Sequence, residues 1–209
     1  WENTTLKDIL IVGDSFSADW TGKYPERKGW VNTLADKHNV VNLSQAGCSQ
    51  YAILKQLETI ETFLDFDAVL VSHTSPYRVY VEHHPIHDGD SLHGNADLIY
   101  SDIQNAAKTD SSLLPLKEYM EKYMSLEYQL DIYDMICDRI EQLLFMNRRG
   151  LNIIHMTHLE WIGRWKFDNL EDFSSSIWKK HRGDINHYTE EGNDLVLEAI
   201  NKRIDNPRY

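Results

Sequence analysis

Ser15 closes the run Ile9-Leu10-Ile11-Val12-Gly13-Asp14-Ser15, and Asp184 stands three residues before His187 in Asp184-Ile185-Asn186-His187. A serine hydroxyl is a weak nucleophile at neutral pH and needs an adjacent base, most often an imidazole that a carboxylate orients. Ser15, Asp184 and His187 supply those three parts in the chain order Ser, Asp, His. His187 would take the proton from Ser15, and Asp184 would fix the imidazole tautomer. The developing oxyanion needs donors as well. The backbone N–H of Ser15, at the start of a helix-like turn, is one candidate. Gly47 is a second, because glycine lets the backbone approach a substrate closely. Gly-Asp-Ser alone is common in loops, so the case depends on what positions these residues.

The surrounding pattern alternates strands with helices. Lys7 to Val12 is a short apolar run read as a central strand, and Ser15 to Lys23 is turn-rich. Gly29 to His38 reads as a helix with Trp30, Leu34 and Ala35 on one face. Asn39 to Leu43 is a second strand. Ser49 to Phe63 reads as a helix whose apolar residues Ile53, Leu54, Leu57, Ile60 and Leu64 recur at three-to-four spacing. Asp67 to Ser72 is a third strand. From about 80 to 112 the pattern breaks down into His, Asp, Gly and Asn, which predicts an inserted loop or lid. Leu116 to Asn147 reads as one long helix, with Arg148 and Arg149 complementing its dipole and Gly150 past its end. Leu151 to Met156 is a fourth strand, and Thr189 caps a last helix from Glu190 to Ile204.

Strands apolar on both faces, joined through helices, predict a mostly parallel sheet covered on both sides. Ligands bind such sheets at the carboxyl ends of the strands, near the switch in strand order. Ser15 follows the first strand, Gly47 the second, and Thr74 and Ser75 the third. Those loops should converge on one crevice.

Composition narrows the field further. A chain of 209 residues with 42% hydrophobic and 11% aromatic residues suits a single domain, here residues 1–209. The net charge of -12 argues against a nucleic-acid partner, and no apolar run is long enough to span a bilayer. With only two cysteines, Cys48 and Cys137, neither a disulfide framework nor a cysteine metal site is expected. No signal peptide is visible, which gives a cytoplasmic location by default, although the chain starts at Trp1 rather than Met. Oligomeric state is open.

The Gly13-Asp14-Ser15 block after a strand, the Gly47 loop and Asp184-x-x-His187 before the last helix together resemble the SGNH, or GDSL, hydrolases. The resemblance runs in order along nearly the whole chain. It implies a three-layer α/β/α, flavodoxin-like fold and hydrolysis of esters, thioesters or carbohydrate acetyl groups without cofactor or metal. By position it makes Ser15 the nucleophile and first oxyanion donor, Gly47 the second donor, His187 the base and Asp184 its orienter. One block departs. The family's Gly-x-Asn-Asp segment, whose Asn is the third oxyanion donor, is replaced by Ser72-His73-Thr74-Ser75-Pro76-Tyr77-Arg78. Ser75 is taken as the substitute, with Thr74 and Arg78 as alternatives; Arg78 would also suit a polar or anionic substrate group.

Asp14, Thr74, Arg78 and Trp161 are candidates for substrate contact. Trp20, Trp161 and Trp165 suit stacking on sugar rings or, equally, packing of loops. His83, His84, His87 and His93, with Asp88 and Asp90, lack the helical spacing of a zinc-hydrolase motif and read as a solvated loop. His73 reads as a packed loop residue, whereas His155 and His158 stay open. The expected activity is a serine esterase removing short acyl groups, with carbohydrate esters favoured. A non-catalytic carbohydrate- or partner-binding module and an O-acyltransferase on the same fold are the alternatives.

Overall fold

The computed structural model describes residues 6–87, 92–94, 96–147, 150–160, 162–167 and 169–207. Strands β1 (Asp8–Val12), β2 (Asn39–Asn42) and β3 (Ala68–His73) form most of a central parallel sheet. The short pair β4 (Arg78–Val79) and β5 (Leu98–Ile99) stands apart from it, antiparallel. Strands β6 (Asn152–Thr157) and β7 (Leu170–Asp172) complete the main sheet, whose five strands run in the order β2-β1-β3-β6-β7. Chain order therefore reverses between β1 and β3, and their carboxyl ends open the crevice expected of such a sheet.

Alternation along the strands feeds two cores. Ile9 and Ile11 of β1, with Leu70 and Ile154, face helices α1 (Trp30–Ala35) and α6 (Glu190–Asp205). Leu10 and Val12, with Val69 and Val71, face α2 (Gln50–Glu58) and α5 (Leu126–Met146). Helices on both faces make three layers. Thr189 caps α6, its hydroxyl accepting from Gly192 N–H.

Some elements differ from the sequence reading. The stretch Leu116 to Asn147 is two helices, α4 (Leu114–Lys122) and α5, not one. Ser125 interrupts it by accepting from Tyr128 N–H at 3.2 Å, a cap that starts a new helix. Tyr119 of α4 and Tyr123 at its end are exposed. Helix α2 stops at Glu58, where the Thr59 hydroxyl bonds the Gln56 carbonyl, and Leu64 lies in solvent. The segment 80–112 is partly ordered into regular structure: β5 pairs with β4, and α3 (Tyr100–Ala106) follows. Arg148, Arg149, Asp88 and Asp90 lie outside the described residues. Strand β7 and the short strand β8 (Arg182–Ile185) were not read from the sequence, being brief and half polar.

Candidate active site

The turn after β1 carries Ser15, and a tight turn after β8 carries His187; their side chains meet. Ser15 Oγ lies 2.8 Å from His187 Nε2, although 172 positions separate them. Asn186 and His187 both have positive φ, at 50° and 62°. That left-handed pair reverses the chain, so that Gly183 N–H bonds the His187 carbonyl and Tyr188 bridges back to Arg182 and Ile185. Asn tolerates this region better than most residues. The Asn186 amide also donates to the carbonyls of Ser15 and Ala18, lashing the His187 turn to the Ser15 turn.

The His187 ring is held by packing. Phe16 lies 4.5 Å from it between centroids, and Trp20 meets it edge-on at 5.7 Å. Burial holds the imidazole below its ordinary range; the Asp14 carboxylate opposes that shift, while Arg78 and His93 add to it. A neutral ring near pH 7 can accept the Ser15 proton. With Nε2 facing the hydroxyl, the ring's own proton is assigned to Nδ1.

Around this pair lies a cavity of about 550 Å³, lined by Ser15, Trp20, Gly47, Arg78, His93 and His187 among others. Gly47 adopts φ +81°, and a Cβ there would come within 2.7 Å of Ala96 Cβ, so only glycine fits. The backbone N–H groups of Ser15 and Gly47 donate to no acceptor among the described residues. Two free donors beside a serine with an imidazole at hydrogen-bond distance are the arrangement an acyl-transfer oxyanion requires.

No family model matches the sequence, and neither does any curated protein. Solved structures do. The chain superimposes on a protein from Bacteroides fragilis assigned as an acylhydrolase, with a TM-score of 0.50 at 14% identity, over 97% of this chain and 88% of that one. A variant of an acetyl-xylooligosaccharide esterase from Geobacillus stearothermophilus gives a TM-score of 0.50 at 14% identity, over 95% and 94%. The fold is that of the SGNH hydrolases.

Within this SGNH fold several expected site residues stand elsewhere. Asp184 is exposed and forms no hydrogen bond to His187. The physical reason is strand alternation: Arg182 and Asp184 point outward from β8, while Gly183 and Ile185 are half-buried. Ser75 is turned away as well. Its Oγ accepts from Tyr77 N–H, and it lines a neighbouring cavity of about 240 Å³ rather than the one holding Ser15. Asp14 and Thr74 are buried and bonded to each other at 2.8 Å, which removes both from direct substrate contact. Arg78 does line the Ser15 cavity. Trp161 lies outside the described residues. Of the other tryptophans, Trp20 belongs to the site and Trp165 packs toward Tyr133 and Phe167 on the α5 side.

Other contributors escaped the sequence reading. Gln56, on α2, accepts from Gly13 N–H at 2.8 Å and donates to the Gly13 carbonyl at 3.1 Å, fixing the strand end ahead of Ser15. Gln50 accepts from Thr74 N–H, so its amide nitrogen must be the group facing His73 Nδ1 at 2.7 Å. Burial keeps His73 neutral, and its remaining proton then points to His155 Nδ1 at 3.0 Å. His155 Nε2 in turn faces Glu141 at 3.2 Å. This chain of side chains, buried up to Glu141, holds the loop after β3. Nothing in a one-dimensional reading pairs Gln50 with His73, although two glutamines on the sheet-facing side of a helix were a visible anomaly. Cys48 is buried, with its thiol pushed up by burial, which suits a packing role. His87 and His93, read as solvated loop, stack at 5.0 Å and line the cavity.

Proposed function

We propose that the protein is a serine carboxylic-ester hydrolase acting through an acyl-Ser15 intermediate. The observation that carries this reading is the 2.8 Å contact between Ser15 Oγ and His187 Nε2, made in a cavity that also holds Gly47. Ser15 Oγ attacks the ester carbonyl carbon while His187 Nε2 takes its proton. The N–H groups of Ser15 and Gly47 donate to the resulting oxyanion. Collapse breaks the bond to the alcohol oxygen, and the His187 proton passes to that oxygen as it leaves. Water then attacks the acyl group, giving a proton to His187, and Ser15 regains one as the acid departs.

Asp184 takes no part in this scheme. Phe16, Trp20 and the Asn186 tether orient the imidazole instead, and the Asp14 carboxylate favours its transient positive charge. For substrate we favour short acyl groups on carbohydrate. Trp20 offers a ring face or edge in the cavity, and the fold neighbour from Geobacillus stearothermophilus is an acetyl-xylooligosaccharide esterase. Comparing acetate release from acetylated xylooligosaccharides with cleavage of long-chain esters tests that preference.

The exposed position of Asp184 favours one rival reading, a binding module that keeps the fold without turnover. Hydrolysis of p-nitrophenyl acetate by the wild type and by Ser15→Ala separates the two. The esterase reading expects a loss of roughly 10⁴-fold or more in kcat/KM with an unchanged circular-dichroism spectrum. Equal rates for the two proteins would leave only the binding module.

A further inference from the structure

The loop after β3 lacks an asparagine, and Thr74 and Ser75 are both committed elsewhere, so the third oxyanion position has no obvious occupant. Tyr77 lines a different cavity, with Tyr100 and Met120, whereas Arg78 lines the one holding Ser15, and its surroundings are unusual. Its Nη1 lies 2.8 Å from the Cys48 carbonyl, to which it donates, and 3.2 Å from Asp14 Oδ2. Cys48 directly follows Gly47, and Asp14 directly precedes Ser15. One guanidinium nitrogen thus bridges the two turns whose N–H groups face the cavity.

The rest of the guanidinium is unspent. A guanidinium carries five N–H groups in a planar fork. One N–H of Nη1 bonds the Cys48 carbonyl and the Asp14 contact is an ion pair, while Nε and Nη2 make no hydrogen bond among the described residues. The side chain is 10% exposed, and Arg78 lines the cavity beside Ser15, Gly47 and His187. It is also held in place before any substrate arrives. Arg78 belongs to β4 and pairs with Ile99, while Asp97 ties the neighbouring chain to the Gly47 loop. The Asp97 carboxylate accepts from Ser49 N–H and Val81 N–H, and its own N–H donates to the Gly47 carbonyl. Asp14 is fully buried and accepts from Phe16 N–H and Thr74 Oγ1 besides meeting Arg78. A fixed, charged donor at the mouth of two converging turns needs no reorganisation as negative charge develops.

We propose that Arg78 is a catalytic residue, the third donor to the oxyanion, through the N–H groups that Asp14 and the Cys48 carbonyl leave free. Asp14 is then its positioning residue. This rests on Ser15 being the nucleophile. The role differs from a ground-state clamp for an anionic substrate group, because it acts on charge that exists only in the transition state.

Steady-state hydrolysis of p-nitrophenyl acetate by Arg78→Ala and Arg78→Lys tests the assignment, alongside the thionoester analogue in which sulfur replaces the carbonyl oxygen. The Ala variant should lose about 10²–10³-fold in kcat with KM changed only a few-fold. Arg78→Lys leaves a cation beside the buried Asp14, so it should fold even where the Ala variant does not, and it should still lose kcat because the planar fork is gone. Both variants should discriminate less between oxygen and sulfur esters than the wild type, a ratio that mere loop support would not move. Wild-type kcat in Arg78→Lys, a loss confined to KM, or an unchanged oxygen-to-sulfur ratio would overturn the proposal. The parent reading fails differently: Ser15→Ala would then match the wild type, whatever Arg78 does.

Discussion

The two turns that bring Ser15 and His187 together are built in opposite ways. The Ser15 turn is buried and, the free Ser15 N–H apart, held by a dense set of hydrogen bonds. Gln56 grips both polar groups of Gly13, Asp14 accepts from Phe16 N–H and holds Arg78, and Trp20 Nε1 donates to the Ser15 carbonyl. The His187 turn follows a short, half-exposed strand, with Asn186 and Tyr188 on either side of the ring buried. Two left-handed residues, the Gly183 bond to the His187 carbonyl and two asparagine side chains hold it, Asn186 on the carbonyls of Ser15 and Ala18 and Asn193 on that of Ile185. The carboxylate that its sequence offers points to solvent. On the proposed mechanism, the difference teaches that a catalytic pair can be positioned from one side: the rigid turn supplies the charge and the donors, and the hairpin delivers a ring against Phe16.

The weight placed on Asn186 gives the larger test of that contrast. Asn186→Ala would lose two buried hydrogen bonds and place a β-carbon in the left-handed region, so the unfolding free energy should fall by about 2–4 kcal/mol in urea titration. Asn186→Gly should recover part of that loss, because glycine relieves the backbone but not the missing amide. If both variants are as stable as the wild type, the Asn193 bond and the buried Tyr188 hold the hairpin without Asn186. The smallest expected effect belongs to Asp184. As an exposed charge without a partner among the described residues, Asp184→Ala should change kcat/KM by no more than about 2-fold. A loss near the roughly 10⁴-fold seen when a triad carboxylate is removed would mean that Asp184 swings inward during turnover.

The framework was legible in the sequence because its signals are redundant. Ile9 to Val12 and Val69 to Val71 are apolar on both faces, which only a covered parallel sheet explains. Ser15 and Gly47 follow from where those strands end. His187 was legible for a similar reason, standing just before a capped helix. Asp184 misled because it stands only three residues before His187, whereas Arg182–Ile185 is extended and alternation decides which residues face inward. Ser75 misled because a hydroxyl in a turn can satisfy a nearby backbone N–H, here that of Tyr77. The insert carried no periodic signal, since its order comes from contacts with other segments, such as Asp97 reaching Ser49 and the Gly47 loop.

The central claim is that Ser15 is activated by a neutral His187. Burial lowers the imidazole below the ordinary 6.5, so the neutral, proton-accepting form should still dominate at pH values where an exposed histidine is half protonated. The most direct test is the rate at which a fluorophosphonate labels the protein as a function of pH, with the modified residue located by peptide mass spectrometry. The expected result is a single adduct on Ser15 whose rate rises with pH through a midpoint below 6.5. No adduct on Ser15, or labelling that shows no loss on acidification through the range where His187 protonates, would contradict the account.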